Sequence, residues 1–225
     1  MPILIINPNS DPGMTAAIQT TAEAYAGDDF TVVTKATPGA PQFIETYQDE
    51  VRAAPGIMQL TRVNEDDYDA IIVACHCDPN LDVIKEMTVK PVVGIGEASM
   101  KLATMLGHTF SIVTTHQHSI PGKLVQARKY HVQDQLVSVR APARGEENLE
   151  DAELFLELSR RAIEEDLAEV IVLGCAGLSG LDERLGAELG VPVLDGVKCA
   201  LAVATGLLRC GVSTSKALGY DPEYE

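Results

Sequence analysis

Two similar stretches of the sequence indicate the fold class. Residues 70–77 read Ala-Ile-Ile-Val-Ala-Cys-His-Cys, and residues 170–176 read Val-Ile-Val-Leu-Gly-Cys-Ala. In both, a short run of apolar residues without polar alternation leads directly into a cysteine and then into small or polar residues. Such runs are typical of strands that are buried on both faces, as in a parallel sheet. Because Cys75 and Cys175 occupy the same place in two similar segments, the chain is predicted to contain two related halves.

Apolar runs of the same kind recur along the rest of the chain. They occupy residues 3–6, 31–35, 91–95, 110–114, 136–139 and 191–194. Helical patterns lie between them; the first is expected to begin with Asp11 as its cap and Pro12 in its first turn. Strands that alternate with helices predict an α/β fold with mostly parallel sheets. Four of the predicted strands precede position 100 and four follow it, which favours two pseudo-symmetric, flavodoxin-like (Rossmann-like) halves with four strands each.

The predicted strands also suggest how the chain divides. Residues 1–93 with 196–225 are expected to form the first half and residues 94–195 the second, because the strand at 191–194 completes the second sheet. Ligands of open α/β sheets bind beyond the carboxyl ends of the strands, so the active site is expected in a cleft between the halves. Pro55 interrupts the helical pattern over 43–62, which predicts two helices or a kink there.

Composition and charge narrow the possible partners. The 225 residues are 46% hydrophobic and 22% charged, as in ordinary soluble globular proteins, which excludes collagen-like or disordered structure. The net charge of −16 disfavours nucleic-acid backbones and anionic membrane surfaces. Aromatic residues make up 4% and Trp is absent, which argues against stacking platforms for single-stranded nucleic acid. The expected partner is therefore a small molecule, with neither nucleic acid nor membrane.

The cysteines and the N-terminus indicate the compartment. The first residues contain an apolar run of four and no basic region, which is too short for a signal peptide or a membrane span. A cytoplasmic location is therefore expected. The five cysteines lie at positions 75, 77, 175, 199 and 210. An odd number without a signal peptide predicts thiols instead of a disulfide framework.

Cys75 and Cys175 are the first candidates for chemistry. Each is expected at the carboxyl end of a buried strand, before a turn whose backbone N–H groups and helix dipole favour a thiolate. Two opposed thiols could form a disulfide. They could also transfer protons at the two faces of one carbon, one thiol removing a proton and the other delivering one. That second reaction inverts a stereocentre and needs no cofactor.

At this point the sequence resembles a known family. Residues 6–10 (Ile-Asn-Pro-Asn-Ser) resemble its Asn-Pro-Asn turn, and residues 41–46 (Pro-Gln-Phe-Ile-Glu-Thr) resemble Pro-x-Ser-Ile-Glu-Ser. Residues 74–81 (Ala-Cys-His-Cys-Asp-Pro-Asn-Leu) resemble Ala-Cys-Phe-x-Asp-Pro-Gly-Leu, and residues 174–178 (Gly-Cys-Ala-Gly-Leu) resemble Gly-Cys-Ala-Gly-Met. Segments 92–98 and 111–115 match as well. The chain thus resembles, over nearly its whole length, the aspartate/glutamate/hydantoin racemase superfamily, and most closely its hydantoin and allantoin racemase branch.

The resemblance implies an activity and a set of site residues. The activity is that of a cofactor-independent racemase acting on a 5-substituted hydantoin-like ring, such as a hydantoin or allantoin. Cys75 and Cys175 are implied as the catalytic acid/base pair. The residues implied to bind substrate are Asn9, Asp78, Thr114, Thr115, Ala176 and Gly177. Family members are usually homo-oligomers, so a homo-oligomer is expected.

The sequence departs from the family pattern at several positions. His76 replaces the usual Phe, Asn80 replaces Gly, and Phe43 replaces Ser. Asn tolerates the left-handed conformation that such a turn needs, whereas Phe43 can reshape the pocket wall and leaves the substrate open. An aspartate/glutamate-type amino-acid racemase therefore stays an alternative, although its usual Cys-Asn-Thr and Gly-Cys-Thr motifs are missing. A non-catalytic protein that binds a small ligand is the second alternative.

Other motifs are weaker candidates for binding. Cys75-His76-Cys77 lacks the two intervening residues that are usual between structural zinc ligands. Gly94-Ile95-Gly96 lacks the third glycine of a dinucleotide-binding fingerprint, because position 99 is Ser. No metal and no cofactor are therefore predicted. His116 and His118 follow the fifth predicted strand, where they either contact substrate or lie in an exposed loop.

Overall fold

All eight predicted strands are present. The computed structural model describes residues 1–146, 148–149 and 151–223, and within them the strands form two separate four-stranded sheets. The strands are β1 (Pro2–Asn7), β2 (Thr31–Ala36), β3 (Ala70–Val73), β4 (Val92–Gly94), β5 (Phe110–Val113), β6 (Leu136–Arg140), β7 (Val170–Leu173) and β8 (Val193–Leu194). The central strands β1, β3, β5 and β7 are buried along most or all of their length, as the apolar runs predicted.

Helices follow the strands in regular alternation. They are α1 (Pro12–Ala26), α2 (Tyr47–Asn64), α3 (Leu81–Met87), α4 (Ile95–Leu106), α5 (Ile120–Lys129), α6 (Ala152–Asp166), α7 (Asp182–Leu189) and α8 (Gly196–Cys210). Two short 3₁₀ turns, Gln117–Ser119 and Ala176–Leu178, lie directly after β5 and β7. The chain is therefore an α/β protein, and the predicted fold class is confirmed.

The two sheets have the same topology. Their strand orders are β2-β1-β3-β4 and β6-β5-β7-β8, and every pair of neighbouring strands is parallel. This order is flavodoxin-like in both cases. As a result, β3 and β7 hold equivalent positions, and so do β1 and β5. In each sheet the carboxyl ends of all four strands lie along one edge, which is where loops that carry chemistry are expected.

The chain forms two compact units. The first contains Met1–Ile95 and the chain from Ala200 onward, and the second contains Gly96–Cys199. The chain passes from one unit to the other within α4 and α8. Each unit has a core of its own. In the first, Ile57 and Leu60 of α2 pack against Leu4 and Ile71 of the sheet.

The second unit is packed on both faces of its sheet. Phe155 of α6 and Leu185 of α7 pack on one face. Met100 of α4 and Tyr130, which follows α5, pack on the other face around Phe110 and Val170. Helices that cover both faces explain why the central strands carry no polar alternation.

The predicted start of α1 is confirmed. Of the two alternatives predicted around Pro55, two separate helices are wrong, whereas a kink stays a prediction. The carboxylate of Asp11 accepts a hydrogen bond from the amide of Met14 at 2.6 Å, which caps α1 as proposed. Pro55 lies inside the single helix α2. Its ring removes only one amide donor, and the carbonyl four residues earlier belongs to Val51, which is 72% exposed and accessible to water. A capping box between Thr46 and Asp49 further stabilises this helix at its start.

The segment after α8 folds back onto α3. The Ser213 hydroxyl donates to the Val89 carbonyl at 2.6 Å, and the ammonium of Lys216 donates to the Glu86 carbonyl at 2.8 Å near the end of α3. The Tyr220 hydroxyl donates to the carboxylate of Asp82 at 2.8 Å. The C-terminal segment thereby caps the carbonyl end of this short helix. Across the described residues, no helix is both long enough and apolar enough to cross a membrane.

Candidate active site

Cys75 lies directly beyond the carboxyl end of β3. The amide of Ala74 still donates to the Ile6 carbonyl of the neighbouring β1 at 2.8 Å, after which the chain leaves the sheet. A tight turn follows, closed by a 2.8 Å hydrogen bond from the Asp78 amide to the Cys75 carbonyl. The thiol of Cys75 is partly exposed at this turn. The predicted place of this cysteine at a strand end is therefore confirmed.

A second thiol lies beside it. The Sγ atoms of Cys75 and Cys77 are 3.3 Å apart, within hydrogen-bonding distance, and Cys77 is also partly exposed. His76, between them, is buried with only 1% of its surface exposed. The side chain of His76 is therefore part of the packed interior of the turn, whereas the two sulfurs share its accessible side.

Asp78 ends the turn in a constrained conformation. Its φ is +49°, and it is buried with 5% of its surface exposed. Its carboxylate lies against the backbone of Gly94 at the end of β4: a Cβ on residue 94 would be 2.3 Å from Oδ1. Asn80 also has a positive φ of +59°, as expected for the residue that replaces Gly. Its side-chain amide (Nδ2) donates to the Glu50 carbonyl at 3.0 Å.

Asn9, predicted to bind substrate, is held by a network that the sequence did not indicate. Its Oδ1 accepts hydrogen bonds from Nδ2 of Asn7 at 2.7 Å and from the Asp11 amide at 3.0 Å. Asn7 is fully buried and also donates to the Thr15 hydroxyl at 2.9 Å. Within the Asn-Pro-Asn motif, the side chain of Asn7 therefore fixes the side chain of Asn9 by a hydrogen bond.

The segment 41–46 lies beside this network. The amide of Ser10 donates to the Pro41 carbonyl at 3.0 Å, and the amide group of Gln42 donates to the carboxylate of Asp11 at 3.3 Å. Phe43 follows, with 44% of its surface exposed. Two of the motifs quoted above are thus brought together although some thirty residues separate them in the chain.

Cys175 occupies the equivalent position in the second unit. It follows β7, and the preceding amide of Gly174 donates to the Val113 carbonyl of β5 at 2.7 Å. A Cβ on residue 174 would lie 2.7 Å from Cγ2 of Ile112 and 3.1 Å from Cβ of Thr114, so only glycine fits this close approach of the two strand ends. The Gly177 amide donates to the Cys175 sulfur at 3.4 Å, and Ala176 beside it is buried. A backbone donor aimed at this sulfur stabilises its thiolate form.

Thr114 and Thr115 follow the adjacent strand β5, and both are buried. The Thr114 amide donates to the Arg140 carbonyl of β6 at 2.8 Å, and its hydroxyl is 3.0 Å from the Ser119 hydroxyl. Ser119 in turn donates to the His116 carbonyl at 2.8 Å. His118 is exposed. The structure therefore places Thr114 and Thr115 on the same sheet edge as Cys175.

Asp195 is a buried acidic residue that the sequence did not indicate as part of the site. It directly follows β8, and its carboxylate accepts hydrogen bonds from the amides of Gly180 at 2.9 Å and Val197 at 2.7 Å. It thereby ties the loop that follows the Cys175 turn to the start of α8. Burial raises the pKa of this carboxyl, and these backbone hydrogen bonds act in the opposite direction. The only signal in the sequence is an aspartate placed directly after a predicted strand.

The two remaining cysteines lie in or at the end of α8. Cys199 is buried, and burial together with the nearby carboxylate of Asp195 raises the pKa of its thiol to about 12. Cys210 is exposed at the last residue of the helix. Among the described residues, no three His, Cys, Asp or Glu side chains converge so as to hold a metal ion.

A model of the Asp/Glu/hydantoin racemase family matches residues 3–204 of this chain. The chain belongs to that family. It is therefore an isomerase of the racemase type. A hydantoin racemase of Pseudomonas sp. (strain NS671) is 38% identical to it, over 98% of this chain and 91% of the relative.

Solved structures of family members agree with this assignment. An allantoin racemase from Klebsiella pneumoniae matches with a TM-score of 0.93 and 33% identity, covering all of this chain and 95% of that one. An allantoin racemase from Pseudomonas fluorescens matches with a TM-score of 0.92 and 32% identity, covering all of this chain and 98% of that one. The resemblance inferred from the motifs is thus confirmed at the level of the family and its hydantoin and allantoin racemase members.

Proposed function

We propose that this racemase inverts the stereocentre of a 5-substituted hydantoin-like ring, such as a hydantoin or allantoin, with Cys75 and Cys175 as its acid/base pair. One observation carries the proposal. Each cysteine directly follows the third strand of a four-stranded sheet, in two sheets of identical strand order, and each thiol is partly exposed. A buried structural cysteine has no reason to recur at equivalent, accessible strand ends.

The proposed reaction needs only these two groups. The thiolate of one cysteine removes the proton from the ring carbon that bears the substituent, and the electrons of that C–H bond move to the neighbouring carbonyl oxygen. The resulting enolate takes a proton at the opposite face of the carbon from the thiol of the other cysteine. The two cysteines have then exchanged protonation states, so the enzyme is ready for the opposite enantiomer. No bond to the protein forms, and no cofactor is consumed.

The residues around the cysteines support this chemistry. An enolate needs hydrogen-bond donors at its oxygen, and backbone amides of a tight turn can supply them. In the second unit, Ala176 and Gly177 form such a turn, and the Gly177 amide already points at the Cys175 sulfur at 3.4 Å. We assign substrate binding to this turn and to Asn9, Asp78, Thr114 and Thr115. The network around Asn9 and the packing of Asp78 on Gly94 hold these side chains before substrate arrives.

The relatives favour the ring substrate. The names of the matched relatives include hydantoin racemase and allantoin racemase. Allantoin is itself a hydantoin that carries a ureido group on the ring carbon, so one ring-binding site could serve both. Hydantoins and allantoin differ in the substituent on the ring carbon. Among the positions where this chain departs from the family motifs, Phe43 is the one that we expect to affect which substituent is accepted.

Proton NMR in D₂O tests the proposal. Enantiopure 5-alkyl hydantoins, 5-aryl hydantoins, allantoin and aspartate would each be incubated with the enzyme while optical rotation is followed in parallel. We expect loss of the ring C–H signal together with decay of optical rotation for at least one ring substrate. Exchange and racemisation of aspartate alone would favour the amino-acid racemase, and no exchange with any of these compounds would favour a binding protein.

Several expectations from the sequence stay predictions. They are a cleft between the halves as the place of reaction, the predicted domain division, a small-molecule partner without nucleic acid or membrane, a homo-oligomer, and a cytoplasmic location. Size-exclusion chromatography with light scattering would test the homo-oligomer directly.

A further inference from the structure

The thiol pair Cys75 and Cys77 is the feature that the racemase reaction does not use. The proposed proton transfer needs one cysteine in each unit, yet the turn after β3 carries two, with their Sγ atoms 3.3 Å apart. Both side chains are partly exposed, so solutes can reach them. The family motif quoted above leaves the position of Cys77 open, so the motif itself assigns no role to this second thiol.

We propose that Cys75 and Cys77 form a reversible oxidative modification site, with Cys77 as the resolving thiol that protects Cys75 from irreversible oxidation by hydroperoxides. Such sites require a nucleophilic, accessible thiol and a second thiol close enough to react with its first oxidation product. The 3.3 Å contact provides the second requirement. This chemistry does not depend on the racemase activity.

The proposed steps balance. The thiolate of Cys75 attacks one oxygen of hydrogen peroxide, the O–O bond breaks, and hydroxide leaves, which converts Cys75 to a sulfenic acid. The thiolate of Cys77 then attacks the Cys75 sulfur and displaces the oxygen as water once it is protonated. Overall, two thiols and one hydrogen peroxide yield one disulfide and two waters; the sulfurs are oxidised and the peroxide is reduced. An external dithiol reverses the reaction by thiol–disulfide exchange.

The geometry of the turn favours this pairing. The hydrogen bond from the Asp78 amide to the Cys75 carbonyl closes the turn at 2.8 Å, and Asp78 is itself packed against Gly94. His76 is buried between the two cysteines, so the sulfurs lie on the same side of a turn that is fixed at both ends. Disulfide formation then requires the sulfurs to approach from 3.3 Å to a bonding distance of about 2.05 Å.

The two cysteines of α8, Cys199 and Cys210, serve as internal controls. Cys199 is buried, and its thiol has a pKa raised to about 12, so peroxide should leave it unchanged. Cys210 is exposed at the last residue of α8, outside the turn that carries Cys75 and Cys77. Cys210→Ser is therefore a suitable control, because it removes an accessible thiol without affecting the proposed pair.

Mass spectrometry after peroxide treatment tests the proposal without reference to activity. In the wild-type protein we expect a loss of about 2 Da, reversed by dithiothreitol, and a peptide in which Cys75 is linked to Cys77. In Cys77→Ala and Cys77→Ser we expect a gain of about 32 Da at Cys75, the sulfinic acid, which dithiothreitol does not reverse. Cys210→Ser should behave as the wild type.

Other results would overturn the proposal. They are a disulfide between Cys75 and Cys175, over-oxidation of Cys75 in the wild type at the same rate as in the Cys77 variants, or no oxidation of Cys75 at all. Activity supplies a separate readout. If the proposed function is right, and at a peroxide dose that peptide mapping shows to leave Cys175 unmodified, the wild type should recover about tenfold more activity with dithiothreitol than either Cys77 variant. A disulfide between Cys75 and Cys77 in a protein without racemase activity would support the modification site and contradict the proposed function.

Discussion

The carboxylate of Asp78 fills the space in which a side chain on residue 94 would begin. A Cβ at Gly94 would lie 2.3 Å from Oδ1 and 2.4 Å from Cγ of Asp78. The turn that carries Cys75 therefore packs against the end of the neighbouring strand β4. In the second unit, a buried carboxylate also contacts the loop near the cysteine. Asp195, which follows β8, accepts a hydrogen bond at 2.9 Å from the amide of Gly180, which lies beyond the Cys175 turn.

Gly94→Ala should therefore destabilise the protein and disturb the Cys75 turn. Because the carboxylate and the turn behind it must move, we expect a loss of about 1–3 kcal/mol in the free energy of unfolding, as for overpacked interiors. Urea denaturation measures it as a lower midpoint at unchanged slope. Gly206→Ala is the matched control, since nothing lies within 4 Å of its Cβ in α8. If Gly94→Ala and Gly206→Ala unfold at the same urea concentration, the Asp78 contact does not constrain the turn.

Asp195→Ala should loosen the loop beyond Cys175. The amides of Gly180 and Val197 would lose their acceptor, and the Val197 amide, which is buried, would be left unsatisfied at a cost of about 1–3 kcal/mol. Besides a lower unfolding midpoint, we expect a changed alkylation rate at Cys175 and an unchanged rate at Cys75, as measured by peptide mapping after brief iodoacetamide treatment. Glu157→Ala, which removes an exposed ion pair with Arg160, serves as the control. Equal changes at both cysteines would indicate general destabilisation instead of a local role.

The two cysteines that we propose as the acid/base pair should have separable functions. Cys75→Ala and Cys175→Ala should each abolish racemisation of both enantiomers, because inversion needs both faces of the ring carbon. Exchange of the ring C–H with D₂O should survive in each variant for one enantiomer only, and for opposite enantiomers in the two variants. Proton NMR beside polarimetry measures both quantities, with Cys210→Ser as a control that retains full activity. Near-normal racemisation by either single variant would exclude the two-thiol mechanism.

Cys199 should be unreactive in the folded protein. With a pKa of about 12, only about one thiol in ten thousand is ionised at pH 8, and the side chain is buried as well. Iodoacetamide should modify Cys75 or Cys175 with loss of activity, substrate should slow that loss, and Cys199 should react only after unfolding in urea. Early modification of Cys199 with activity retained would contradict both the assigned site and the packing of α8.

Glu165 should make stability depend on pH through its arginine partners. Hydrogen bonds from Arg161 and Arg140 hold the pKa of Glu165 at about 2, below its ordinary value of 4.5. A lowered pKa means that the stabilisation is complete above pH 4.5 and is lost as the pH falls toward 2. The difference in urea midpoint between wild type and Glu165→Gln should therefore shrink from pH 6 to pH 3. Because Glu165 is exposed, added salt should shrink it too; a difference that is independent of pH and salt would rule out the ion pair as its cause.

Much of the fold could be predicted because its signals are local. A buried parallel strand needs apolar residues on both faces. Runs such as 70–74 and 170–173 can therefore be recognised as strands without knowing which strands they pair with. The cap of α1 is equally local, since Asp11 and the Met14 amide are three residues apart. The family motifs and the two strand-end cysteines could be recognised for the same reason.

The tertiary structure decided what depends on contacts between distant or freely rotating groups. Nothing in the sequence indicates that Asp195 binds the Gly180 amide, that Asp78 requires glycine at 94, or that Pro55 lies within one continuous helix. The spacing of Cys75 and Cys77 leaves their side-chain directions open, and the turn closed by Asp78 brings their sulfurs together. The strands, the family and the two strand-end cysteines were therefore predictable from local sequence signals. The groups that hold those cysteines in place were not predictable in this way, because packing and hydrogen-bond satisfaction are properties of the whole chain.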